Sequence, residues 1–143
     1  MNAFRERQKS YFDVRSQSND LMDLMLKKLK TAAENAAASL GATAELKIHN
    51  ITPASIITPE ITDLLSEVIS EEMGASALIP PITTAGGEDF FWYPKLKPEL
   101  KTGFIGLGAD VEPGLHDPAM HFNTDCLENG VKLHKGAVRK ILG

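Results

Sequence analysis

The sequence predicts an α/β fold laid out in two blocks, and three observations predict it. Residues 43–51 alternate apolar Ala44, Leu46 and Ile48 with polar Glu45, Lys47 and His49, the period of a half-buried strand. Residues 21–40 place Leu21, Leu24, Met25, Leu29, Ala32, Ala33, Ala36 and Leu40 at helical spacing, which predicts a long amphipathic helix just before that strand. Thr58-Pro59-Glu60 then opens a second helix, with a threonine cap, proline at the first helical position and an acid behind it. The 143 residues are 43% hydrophobic and 24% charged, enough apolar material to form a core.

Taken in chain order, residues 6–14 carry Tyr11, Phe12 and Val14 and read as a first strand. Ser18 or Asn19 is placed to cap the long helix, Asp20 suits its first turn, and Gly41 is a natural residue just past its end. With the strand at 43–51, the first block is β-α-β. Residues 52–58 form a proline-containing linker, giving two blocks, 1–54 and 55–143. Ile61, Leu64, Leu65, Val68, Ile69 and Met73 make the inward face of the second helix, which Gly74 ends. Residues 83–89 read as loop, 90–96 as a short helix or turn, 101–107 as a strand containing Gly103 and Gly106, and 109–123 as a loop. Thr124 or Asp125 is expected to cap a last helix that turns Leu127, Val131, Val138 and Ile141 or Leu142 inward, with His134 half-buried among them.

Composition narrows the function classes. Fifteen Lys and Arg against nineteen Asp and Glu give a net charge of −4, which argues against a nucleic acid or an anionic membrane as partner. The single cysteine, Cys126, excludes a disulfide within the chain and any cysteine-rich zinc module. Neither a spanning apolar run nor an apolar leader stretch appears in the sequence, so a cytoplasmic location is the expectation.

Three places could carry chemistry. Gly86-Gly87 sits before Glu88-Asp89: paired glycines allow a backbone to approach a ligand closely, or simply make a tight turn before a helix. His116 lies in a loop between Pro113 and Pro118, either as an acid/base or metal-binding imidazole or as a plain surface histidine, with Asp117 as partner or turn former. Arg15, in Asp13-Val14-Arg15, offers a planar fork for a carboxylate or phosphate, or a surface pair with Asp13 or Asp20. The run Phe90-Phe91-Trp92-Tyr93 suits a core better than a pocket, and Cys126 reads as structural.

The order T-T-A-G-G-E-D-F (83–90), F-I-G-L-G (104–108), P-G-L-H-D-P (113–118) and F-N-T-D-C-L-E-N-G-V (122–131) resembles the C-terminal end of the metal-dependent aminoacylase/carboxypeptidase G family. The N-acyl-amino-acid and aminobenzoyl-glutamate amidohydrolases are the most similar branch. The upstream F-D-V-R-S strand, long helix and strand are similar to the second half of that family's lid, or dimerisation, domain. The resemblance implies a ferredoxin-like half-lid followed by the C-terminal α/β segment of a zinc-peptidase-like catalytic domain. It also implies amide-bond cleavage on N-acyl amino acids or short peptides at a paired zinc or manganese centre. On that resemblance His116 is a metal ligand, Gly86 and Gly87 line the substrate, and Arg15 meets the substrate carboxylate. Glu88 and Asp89 align with the acids of the glycine motif without a metal role. The family's other metal-binding motifs and its paired glutamates are not in this sequence. The expectation is therefore an incomplete metal site and a chain inactive alone, needing either a missing N-terminal half or, as a non-catalytic module, a second copy of itself.

Overall fold

The computed structural model describes residues 7–84 and 86–143. Four α-helices appear in order: α1 (Asn19–Ser39), α2 (Pro59–Met73), α3 (Trp92–Leu96) and α4 (Cys126–Leu142), with 3₁₀ turns at Ala75–Ala77 and Asp89–Phe91. Among the described residues there is no β-strand, and one isolated antiparallel bridge joins Glu112 to His121. The chain divides into two compact units: one runs to Ser55 and includes Thr84–Trp92, and the other comprises Ile56–Thr83 and Tyr93–Gly143.

This corrects the β-α-β expectation. The strand expected at 6–14 begins outside the described residues, and its remainder forms no strand among the described residues, with Tyr11 80% exposed. Residues 44–47 keep the expected alternation, Ala44 and Leu46 half-buried against exposed Glu45 and Lys47, but Ile48, expected inward, is 56% exposed, and no ladder forms here among the described residues. Alternation records which side of an extended chain is covered. A strand also needs a partner for its N–H and C=O groups, and a pair of strands alone is marginal in water. Residues 101–107, expected as a strand, form none among the described residues, and two glycines weaken them as one. The ferredoxin-like half-lid is therefore not what this sequence forms, and the second block is a helix pair with irregular connections.

In the first unit α1 is defined by its ends. Ser18 is the N-cap: its Oγ accepts the Leu21 N–H at 3.3 Å, while Ser16 Oγ accepts from the Ser18 N–H at 3.1 Å. The Asn19 side chain clasps Ala54, accepting its N–H at 3.0 Å and donating to its carbonyl at 3.4 Å. At the far end Gly41 takes φ +70°; its N–H reaches the Ala38 carbonyl and that of Ala42 reaches Ala37. These are the paired bonds of a Schellman termination. No residue of α1 is fully buried; the half-covered line is Met22, Leu26, Leu29, Ala33 and Ala37, turned by about one residue from the expected stripe.

In the second unit α2 and α4 pack together. Pro59 starts α2 as expected, but the Thr58 hydroxyl does not cap it. That oxygen accepts the Thr102 N–H at 3.0 Å, the Thr58 N–H donates to the Thr102 carbonyl at 2.8 Å, and the buried Thr102 hydroxyl donates to Ile56 at 2.7 Å. The chain at Gly103 is drawn so close to α2 that a Cβ there would lie 2.5 Å from Ile61 Cγ2. The α2–α4 contact centres on Val68, Leu133 and Gly136, all buried. A Cβ on Gly136 would stand 2.8 Å from Val68 Cγ1, so the absence of a side chain sets how near the two helices come. Lys140 of α4 bridges Glu67 at 2.8 Å and Glu71 at 2.6 Å on α2, and these hydrogen bonds hold its ammonium above the usual lysine range.

The expected inward face of α4 is corrected here. Cys126, Leu133 and Gly136 are the buried residues, while Leu127, Val131, His134, Val138, Ile141 and Leu142 are exposed. Nor does the Thr124 or Asp125 side chain cap the helix: Asn123 Oδ1 accepts the Asp125 N–H at 3.0 Å and forms the entry turn. No helix among the described residues is long and apolar enough to cross a membrane.

Candidate functional site

His116 lies in the second unit, on the loop between the 101–107 stretch and α4. That loop is closed by its own hydrogen bonds. Glu112 and His121 exchange backbone bonds of 3.0 and 2.8 Å, and the Asn123 N–H reaches the Ala109 carbonyl at 2.8 Å. Inside this closure Asp117 Oδ1 accepts the Ala119 N–H at 2.8 Å, so Asp117 is a turn former. His116 is exposed and takes φ +68°, the left-handed region, which costs a residue with a Cβ about 1 kcal/mol. Asp110, at φ +49°, shares that conformation at the start of the same loop. No sequence pattern pointed to these two backbone angles; that Asp and His tolerate the region better than most residues was the available signal.

Arg15, Gly86 and Gly87 belong to the first unit. Arg15 places Nε and Nη2 at 3.1 and 2.9 Å from Asp13 Oδ2. The hydrogen bond first, and then the charge of Asp13, raise the guanidinium pKa. Of the two surface pairs open to it in the sequence, Arg15 takes Asp13. Gly86 and Gly87 are exposed, and neither uses positive φ. Gly87 is required by proximity instead, because a Cβ there would fall 2.8 Å from Thr52 Cγ2. Ala85, within the same motif, lies outside the described residues. Glu88 precedes the 3₁₀ turn that Asp89 begins, and Phe90 and Phe91 pack edge to face at 5.5 Å with Phe91 buried.

The donor set can be tested against a metal centre. Among the described residues no group of three His, Cys, Asp or Glu side chains comes together around a common point. Among the described residues His116 thus offers one imidazole without companion ligands around it. What the loop supplies is a histidine held in a fixed, locally strained backbone.

Comparison with known proteins adds the decisive observation: the family model described as peptidase family M20/M25/M40 matches residues 6–140. The chain belongs to that family. Members of this peptidase family are generally metal-dependent. The chain is also 27% identical over 114 residues to an uncharacterized hydrolase, y4tI, of Sinorhizobium fredii. That match covers 80% of this chain and 28% of the relative, so the chain spans little more than a quarter of the curated hydrolase it resembles. No solved structure matches it.

Proposed function

We propose that the chain serves amide-bond hydrolysis on N-acyl amino acids or short peptides, as the C-terminal portion of a metal-dependent amidohydrolase that needs further polypeptide to act. The N-acyl-amino-acid and aminobenzoyl-glutamate branch gives the substrate class, and a zinc or manganese pair the cofactor, in a cytoplasmic setting. One observation carries the reading. In a chain of the peptidase family, the histidine that the P-G-L-H-D-P motif marks as a metal ligand is held at φ +68° in a loop closed on itself. Strain retained in a loop the surrounding bonds over-determine is a common signature of a functional position. Arg15 for the substrate carboxylate, and the Gly86-Gly87 backbone beside the substrate, complete the assignment.

A chimera tests it, with this chain replacing the matched stretch of the Sinorhizobium fredii hydrolase. Supplied with zinc or manganese, the chimera is expected to release amino acid from N-acetyl amino acids or aminobenzoyl-glutamate, while the chain alone does not. The variant for the test is His116→Gly, since glycine accepts the left-handed backbone and preserves the loop. It is expected to abolish turnover in the chimera. Hydrolysis by the chain alone that disappears in His116→Ala contradicts the reading.

Self-association as a non-catalytic module is the second reading. The 7–14 and 43–50 stretches, strand-forming in sequence, favour it, because they have no ladder partner among the described residues. A concentration-independent monomer in sedimentation equilibrium removes it.

A further inference from the structure

One dipeptide of α4 carries a reaction of its own. Asn129-Gly130 is the single Asn-Gly pair in the sequence; every other asparagine precedes a residue with a side chain. The Gly130 backbone nitrogen can attack the Asn129 side-chain carbonyl carbon, because glycine has no side chain to hinder the approach and its backbone reaches more conformations. The new carbon–nitrogen bond closes a succinimide ring. The bond to the Asn129 amide nitrogen breaks, and that nitrogen leaves as ammonia with the proton of the Gly130 amide. Water then opens the ring at one carbonyl or the other, giving aspartate or isoaspartate.

The fold withholds this reaction. Asn129 and Gly130 are the fourth and fifth residues of α4, and both are half-buried. The helical pattern directs the Gly130 N–H to the Cys126 carbonyl and fixes the backbone, so the nitrogen cannot turn toward the preceding side chain. Gly130 also lies against Leu107, where a Cβ would meet Cδ2 at 3.4 Å. This end of α4 is the one built to open. No side-chain cap holds it, its entry turn rests on Asn123 Oδ1 accepting the Asp125 N–H at 3.0 Å, and Gly130 is a poor helix former. We infer that Asn129 is a deamidation site gated by opening of the first turns of α4. The isoaspartate product adds a methylene to the main chain ahead of Leu133 and Gly136, and so misplaces both against α2. The aspartate product keeps the main chain and adds an anion near the helix N-terminus, which the helix dipole accepts. The gate consists of the backbone bonds of α4 itself, so it does not depend on what covers the outer face of the helix.

The test incubates the whole chain at mildly alkaline pH, in buffer and in concentrated guanidinium chloride. Loss of each asparagine is followed by peptide mass mapping, and isoaspartate by enzymatic methylation. In denaturant Asn129 is expected to react about tenfold faster than Asn35, Asn50 or Asn123, and Gly130→Ala to remove that lead. In buffer Asn129 is expected to react about tenfold or more slowly than in denaturant, because it must wait for local opening. Asn123→Ala, which frays the entry turn and leaves the dipeptide intact, should speed the loss several-fold in buffer and leave it unchanged in denaturant. Asn123→Asp keeps an acceptor for the Asp125 N–H and should react as the wild type does. An Asn129 no faster than the other asparagines in denaturant overturns the inference. So does an equal rate in buffer and denaturant, or a rate in buffer indifferent to Asn123→Ala. Asn123→Asp matching Asn123→Ala overturns the gate as well.

Discussion

α1 and α4 are the two longest helices, and they are held in opposite ways. α1 buries no residue, yet its ends are fully specified: Ser18 caps one and the Gly41 termination closes the other. α4 enters through the Asn123 turn rather than a side-chain cap of its own, and it buries Cys126, Leu133 and Gly136. Local hydrogen bonds define where α1 starts and stops. Tertiary packing on α2 defines which way α4 faces. The contrast matters for function because the His116 loop leads directly into α4, the helix that packs on α2.

The comparison can be broken most sharply at Gly136. Gly136→Leu drives a side chain into Val68 and should cost about 1–3 kcal/mol or more, lowering the unfolding midpoint without reducing the helicity of an isolated α1 peptide. Val68→Ala opens a void in the same contact. The expected loss is about 2 kcal/mol, read by urea titration, since Val68 is 1% exposed.

These two residues also show what was legible in the sequence. Some ends of the helices were: Pro59, Gly41 and Gly74 act as their chemistry requires, and Ser18 does cap α1, while the caps expected of Thr58 and of Thr124 or Asp125 do not form. The facing of α4 was not. Hydrophobic periodicity points to the most apolar stripe, Leu127, Val131 and Val138, but close helix packing selects the smallest, and Gly136 outweighs them. The strands were not legible either, since alternation at 44–47 reports coverage and not pairing. At the candidate site the P-G-L-H-D-P motif marked His116, while its left-handed backbone depends on the Glu112–His121 closure, a contact no local pattern encodes. The Thr58 hydroxyl, expected to cap α2, binds Thr102 for the same reason: a partner 44 residues away competes with the local one.

Smaller effects sharpen the contrast from the other side. Ser18→Ala removes a cap and should cost α1 about 1 kcal/mol, seen as faster amide exchange in its first turn with α4 unaffected. The smallest effect is at Lys140. Its hydrogen bonds to Glu67 and Glu71 raise its pKa in the folded protein, so their contribution is complete below the ordinary lysine range and is lost as pH rises through the raised value. Thermal midpoints of the wild type and Lys140→Met should therefore differ slightly at pH 7 and converge at strongly alkaline pH.

The covering of α4 within its own unit is the claim on which the account of the His116 loop stands, and Cys126 reports it at the first residue of the helix. This thiol is the chain's single cysteine, buried at the first residue of α4. Its rate of reaction with an aromatic disulfide reagent should be about a hundredfold slower in buffer than in concentrated urea, because reaction must wait for local opening around the start of α4. Equal rates in the two conditions would mean that Cys126 is not covered and that the start of α4 is not packed as described.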